Sequence, residues 1–251
     1  ARYTSPHLVR INERFFIDGE PIDNATLEDA ASRVFQVATP EMTFFEALTA
    51  IAFLVFAEAG VDCAVFETGL GGRLDATNVC EPVITVITRI GLDHCDWLGS
   101  DIVDIASEKA GIIKPGVPVV LGTNEWSVRD VVKARADELH SPYIYAPDIA
   151  GDADIPSNFP LRGSFNRENA VTAFAAIHSL VRILALGQYS SFSLFESAST
   201  NIVWPGRFQR VGRFIIDGAH NPPAAKALFG AIQVEISRGV LDAPDDKLTL
   251  I

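Results

Sequence analysis

Carboxylates, imidazoles and one lysine gather in this sequence at a few glycine-containing turns. The run Glu67-Thr-Gly-Leu-Gly-Gly-Arg-Leu-Asp-Ala-Thr-Asn78 sets a carboxylate ahead of Gly69, Gly71 and Gly72, then Arg73 and Asp75. Glycines permit positive φ and close backbone approach to a ligand. Alone they also suit a tight solvated loop; the Glu, Arg, Asp and Asn packed around them point to binding. Gly91-Leu-Asp-His94 places an imidazole past a second apolar run, where it suits either a metal ligand or a capped loop residue. One carboxylate, one imidazole and waters suit Mg2+ in a nucleotide site, so Glu67 and His94 are candidates for one cation. Ser107-Glu-Lys-Ala-Gly111 ends a helical stretch, where a lysine is ordinarily a solvated cation favoured by the helix dipole. Asp217-Gly-Ala-His-Asn-Pro222 is another carboxylate ahead of a helix start. Asn221 is its cap, and Asp217 with His220 form an exposed pair suited to a ligand.

The elements that must position these groups alternate. Cys63–Glu67, Val83–Thr88 and Val117–Leu121 are short apolar runs with the character of buried parallel strands. Helices are expected over Thr43–Ala59, Ile102–Lys109, Val128–Leu139 and Arg167–Leu186, and over Leu27–Val37 with Thr26 and Asp29 at capping-box-like spacing. Phe15–Ile22 carries an Asp-Gly turn and reads as a hairpin. Pro142–Pro160 reads as an irregular connection. Arg213–Asp217 followed by a helix over Ala224–Ile236 is a second strand–helix start, and Trp204-Pro-Gly206 before it is the best domain boundary. The fold class is α/β, a mostly parallel sheet with helices on both faces, its sites at the carboxyl ends of strands.

Composition narrows the function. Lys plus Arg total 20 against 32 for Asp plus Glu, a formal net charge of -12, which argues against nonspecific nucleic-acid or anionic-membrane binding. No signal peptide is seen, and the most apolar segment, Ala47–Ala57, is too short to span a bilayer. Cys63, Cys80 and Cys95 form no CxxC pair and read as reduced, mostly buried thiols of a cytoplasmic protein.

Taken together, Thr4-Ser-Pro-His-Leu8, Thr43-Phe-Phe-Glu46, the Glu67–Asn78 run, Leu92-Asp-His94, Glu108-Lys-Ala-Gly111, Trp204-Pro-Gly-Arg207 and Asp217–Pro222 resemble the folylpolyglutamate synthase/dihydrofolate synthase family, relatives of the Mur ligases. The resemblance spans nearly the whole chain in the family's order. It implies an ATP-dependent amide ligase that joins L-glutamate to dihydropteroate, to reduced folates, or to both, through an acyl phosphate. The Thr43–Glu46 motif leans towards dihydropteroate being included. It also implies a Mur-ligase-like central domain over 1–203 and the start of a Rossmann-like ligase domain over 204–251. Ser5, Glu67 and His94 would hold Mg2+, with Lys109 carbamylated as a further ligand; Glu67, His94 and Lys109 would serve catalysis. Thr43, Phe44, Phe45, Glu46, Leu74, Asp75 and Ala76 would line the pteroate site, although Phe44 and Phe45 equally suit a helix core. Asn169, Arg207, Asp217 and His220 would face ATP. Glu67 and His94 should then end neighbouring parallel strands, with Ser5 nearby.

The resemblance also implies a Gly-rich P-loop shortly before Ser5, and no GxxxxGK[ST] occurs in the 251 residues. The expectation is an internal fragment of a monomeric ligase, without turnover of its own. The alternatives are another Mur-type ligase acting on a different acid, or a noncatalytic ligand-binding module.

Overall fold

The computed structural model describes residues 1–212 and 214–239, and the chain divides into two compact units, Ala1–Glu81 and Pro82–Ile251. In the first, β1 (Arg2–Tyr3), β2 (Phe15–Ile17) and β3 (Glu20–Pro21) pair antiparallel, and β1 also pairs in parallel with β4 (Val65–Phe66). Sheet order is β3-β2-β1-β4. The expected hairpin is present: Asp18 and Gly19 both take positive φ, 50° and 88°, as a type I′ turn requires.

Helices α1 (Asn24–Val37) and α2 (Phe44–Glu58) cover this sheet. Tyr3, Phe15, Val34, Leu48, Ile51 and Phe56 form the core between them. The α1 cap differs from the expected one. Asp23 accepts from Thr26 N–H at 2.7 Å, so the helix begins a turn earlier than its apolar periodicity suggests.

Helix α2 starts in a complete capping box. Glu46 N–H donates to Thr43 Oγ1 at 3.2 Å, and Thr43 N–H donates to Glu46 Oε2 at 2.7 Å. The Thr43 backbone bond holds the Glu46 carboxyl below its ordinary value. A depressed carboxyl contributes stability above the unfolded Glu value, about 4.3, and that contribution is lost as pH falls through the folded value. Thr43→Ala is expected to lower stability by about 1 kcal/mol in urea denaturation. Glu46→Gln should flatten the acid limb of the stability–pH curve; an unchanged limb would remove the box from the balance.

The second unit opens with β5 (Thr85–Ile87), α3 (Cys95–Leu98), α4 (Ile102–Ala110), β6 (Val119–Leu121), α5 (Trp126–Glu138), β7 (Tyr143–Tyr145) and α6 (Ala146–Ile149). It continues through α7 (Ser164–Ile183), α8 (Ser191–Ser199), β8 (Gln209–Val211), β9 (Phe214–Ile216) and α9 (Pro222–Ser237). Strands β5, β6 and β7 form a parallel sheet in that order. Val119 and Leu121 pack with α4 and α5 on one face, and Val120 packs with α7 on the other. A strand buried on both faces needs an unbroken apolar run, which is why Val119-Val-Leu121 was readable as one.

Two local expectations are corrected, and one further helix, α8, is present. The segment 142–160 contains β7 and α6, because alternate residues of Tyr143-Ile-Tyr145 meet the two helical layers. Helix α8 follows a Ser190 cap that accepts from Ser193 N–H at 3.4 Å. Cys63 is exposed and Cys80 half-buried, so neither is a core thiol. The expected strand at 247–251 lies outside the described residues.

Candidate active site

Strand direction explains the candidate residues of the first unit. Parallel pairing of β1 with β4 brings Ser5 and Glu67, each just past a strand end, to the same edge of the sheet. Glu67 N–H donates to Tyr3 O at 3.0 Å, and Ser5 N–H donates to Glu67 Oε2 at 2.7 Å. Serine and glutamate side chains are hard oxygen donors of the kind Mg2+ takes, and the backbone bond sets these two residues side by side.

The glycine run beyond Glu67 is folded around Asp75. Oδ2 accepts from Gly69 and Leu70 N–H at 2.8 and 2.9 Å; Oδ1 accepts from Thr77 N–H and hydroxyl at 3.0 and 2.6 Å. Asp75 is buried, so its carboxylate is the loop's internal clamp. Gly69 is required by close approach: a Cβ there would stand 2.5 Å from the Phe45 ring. Phe45 joins the core beside Tyr3 with ring centroids 5.9 Å apart, whereas Phe44 is exposed with Arg14 over its ring. One of the two phenylalanines is thus a core residue. Leu74 is exposed and Ala76 half-buried. Ala76 and Glu46 line a groove of about 430 Å3 together with Met42, Ala50, Phe53 and Val79.

The second unit holds the other residues. The loop after β5 is pinned by Asn124, whose Oδ1 accepts from Ile90 N–H at 2.8 Å while Nδ2 donates to Thr88 O and Gly122 O at 3.1 Å each. Beyond it, Asp93 Oδ1 accepts from His94 N–H at 2.9 Å, and Asp93 Oδ2 accepts from Asn221 Nδ2 at 2.8 Å. Asn221 also caps α9 through Ala224 N–H at 2.8 Å. His220 faces Asp93, at 3.9 Å, and the Asp217 carboxylate accepts from Phe208 and Ala219 N–H. The expected Asp217–His220 pair is therefore corrected: backbone donors occupy Asp217, and the imidazole turns to a partner from a distant loop. Arg207 lies over Gly218, its Nη1 3.2 Å from where a Cβ would stand. Asn169 is exposed on α7, and Lys109 is half-buried in the last turn of α4.

Among the described residues, β4 pairs with β1 and β5 with β6, so the strands ahead of Glu67 and His94 are not hydrogen-bonded neighbours as expected. Asp93, Asn124 and Asn221 were not singled out as site residues. The Leu92-Asp-His94 motif held the signal for Asp93; the side-chain bonds of Asn124 reach back 34 and 36 residues, which local pattern does not reveal.

No protein-family model matches the chain. It is 37% identical over 252 residues to a probable dihydrofolate synthetase of Schizosaccharomyces pombe, covering 90% of this chain and 58% of that protein. It is 34% identical to a dihydrofolate synthase/folylpolyglutamate synthase of Bacillus subtilis, covering 90% of this chain and 59% of that protein. A solved FPGS–AMPPCP–folate complex superposes with a TM-score of 0.82 at 31% identity, covering 97% of this chain and 68% of that one. The chain belongs to the folylpolyglutamate synthase/dihydrofolate synthase family. It spans a little under three fifths of the first two relatives' length. Membership in this ligase family accounts for the fold class, an α/β protein with parallel strands between helical layers. Among the described residues, no helix is long and apolar enough to cross a membrane.

Proposed function

We propose that the protein carrying this chain is an ATP-dependent ligase that joins L-glutamate to dihydropteroate, to reduced folates, or to both. The Ser5–Glu67 pair at the carboxyl ends of adjacent parallel strands carries the reading, since ligand sites of open α/β sheets form there. The FPGS relative whose complex holds AMPPCP and folate supports the same substrate classes.

In this reading Ser5, Glu67, His94 and a carbamylated Lys109 would hold Mg2+, which supplies neutralisation of charge on the transferring phosphoryl group. Arg207 and Asn169 face the nucleotide, with Asp217 holding the backbone of the Arg207 turn through Phe208 N–H. The substrate carboxylate takes the terminal phosphoryl group of ATP, and the glutamate amine attacks the acyl phosphate and expels phosphate. Thr43–Glu46 and Leu74–Ala76 place the acid. Phe44 and Leu74 supply exposed apolar surface for a flat ring, and Asp75 keeps their loop in register. Residues 1–203 form the central domain and those from 204 onward a separate ligase domain, working in the cytoplasm as a monomer.

The test is glutamate-dependent ADP release with dihydropteroate and with reduced folate as alternative acids. Lys109→Ala should lower kcat at least tenfold while changing folate affinity little, because a carbamate acts through the metal and phosphates. Bicarbonate depletion should reproduce part of that loss. Wild-type rates for the alanine variant at limiting ATP would exclude Lys109 from the mechanism.

A further inference from the structure

We propose that Asp93, His94 and His220 form a binding site for a divalent transition ion of the zinc and cobalt class, which shares only His94 with the Mg2+ site above. Their three donor atoms lie within 4.8 Å of one another. The decisive contact is on the far side of the His220 ring, where Nδ1 stands 2.8 Å from Gly218 O. A carbonyl only accepts, so Nδ1 carries the hydrogen, and in the neutral ring Nε2 presents a lone pair. That lone pair faces Asp93 Oδ2, another acceptor, at 3.9 Å. Two acceptors turned towards each other repel unless a proton on the ring or a metal cation lies between them, and the convergence of a second imidazole on the same oxygen favours the metal.

His94 Nε2 approaches the same Oδ2 at 3.8 Å, so both imidazoles converge on one carboxylate oxygen. The surroundings follow the pattern of a metal site: a ligating histidine donates its other N–H to a carbonyl, and a ligating carboxylate is itself hydrogen-bonded. Gly218 O supplies the first condition, and Asn221 Nδ2 on Asp93 Oδ2 the second. Asn221 is in turn held by its capping bond to Ala224 N–H.

Ligand chemistry selects the ion. Two imidazoles and one carboxylate suit zinc or cobalt, whereas Mg2+ takes mainly oxygen ligands and waters, and a second imidazole turns the site away from it. Tetrahedral zinc with bonds of about 2.0–2.2 Å sets its ligands about 3.3–3.5 Å apart. The two imidazole–carboxylate separations need to close by about half an ångström, and the third donor pair, within 4.8 Å, by at most about 1.4 Å. Side-chain exposures of 37% for Asp93, 50% for His94 and 70% for His220 leave the ion open to solvent, and three protein ligands leave a fourth position for water or a phosphate oxygen. Because His94 is shared, an ion bound here withdraws it from Mg2+ and slows the ligase; that consequence alone rests on the proposed function.

The test is calorimetric titration of the purified chain with zinc chloride, and visible absorption with cobalt(II) as a spectroscopic probe. One ion should bind per chain, with intense d–d bands of a four-coordinate cobalt centre. Asp93→Ala, His94→Ala and His220→Ala should each weaken binding at least tenfold, whereas His7→Ala, His140→Ala and His178→Ala should not. Asn221→Ala, which keeps all three ligands but frees the carboxylate, should weaken binding about tenfold. Thermal melts of the apo variants separate ligand loss from misfolding, and His220→Ala, at an exposed position, should melt as wild type. Binding no tighter than millimolar, binding that survives His220→Ala, or a cobalt–thiolate charge-transfer band abolished by Cys95→Ser would each overturn the site. None of these readouts uses turnover, so loss of the ligase reading leaves the site standing, and the reverse.

Discussion

If the whole protein is the ligase proposed above, Glu67→Gln is expected to lower its glutamate-dependent ADP release by about a hundredfold or more while leaving the fold intact. Glutamine matches glutamate in shape, and its carbonyl can still accept from Ser5 N–H, the 2.7 Å bond that ties the two strand ends. Only the negative charge is removed. A site that stabilises developing phosphoryl charge loses about two to three orders of magnitude when one well-placed electrostatic contact goes. Turnover and the urea midpoint should therefore separate, with the first collapsing and the second moving little. Steady-state rates near wild type would show that Glu67 serves only the backbone of Ser5, and the metal assignment would fall with them.

The largest stability effect is expected at Asp75. Its carboxylate accepts from three backbone N–H groups and one hydroxyl, all within the Gly69–Thr77 stretch. Alanine leaves those donors without their acceptor at a buried position. Hydrogen bonds to a charged group contribute about 1.5–3 kcal/mol each, and bonds that share one acceptor are not additive. A loss of about 3 kcal/mol or more is the reasonable total, read as a lower urea midpoint with an unchanged slope. Asp75→Asn should fall between wild type and alanine, because an amide turns one face of the clamp from acceptor to donor. A loss under about 1 kcal/mol for the alanine variant would mean that the loop holds itself without the clamp. The same variants should weaken pteroate or folate binding, since Leu74 and Ala76 flank the clamp.

Local chemistry made much of this protein legible in one dimension. The Asp18-Gly19 turn, the Thr43–Glu46 box and the apolar run of β6 involve neighbours within a few residues, so side-chain type and period determine them. The resemblance that led to the family rests on the same kind of signal, short runs of charged residues and glycines after apolar stretches. Such runs announce that a loop has chemistry. They do not say which of its side chains face a ligand and which hold the loop.

That division was decided by tertiary structure. Phe44 and Phe45 are adjacent and identical in type, yet the rotation of α2 against the sheet buries one beside Tyr3 and exposes the other. The resemblance sets Asp75 in the pteroate-binding stretch, and the structure shows that its carboxylate also clamps the loop, which curls its own amides inward. Ser5 meets Glu67 across 62 positions, because β1 lies parallel to β4. Asp93 meets Asn221 across 128 positions, because the start of α9 is folded back onto the loop after β5. Spacing along a chain predicts contacts only where the backbone repeats, as in a helix turn or a hairpin. Between elements, the meeting of two side chains depends on strand order and on which helical faces the core buries, and in this protein those two facts bring His94 and His220 to the same carboxylate oxygen.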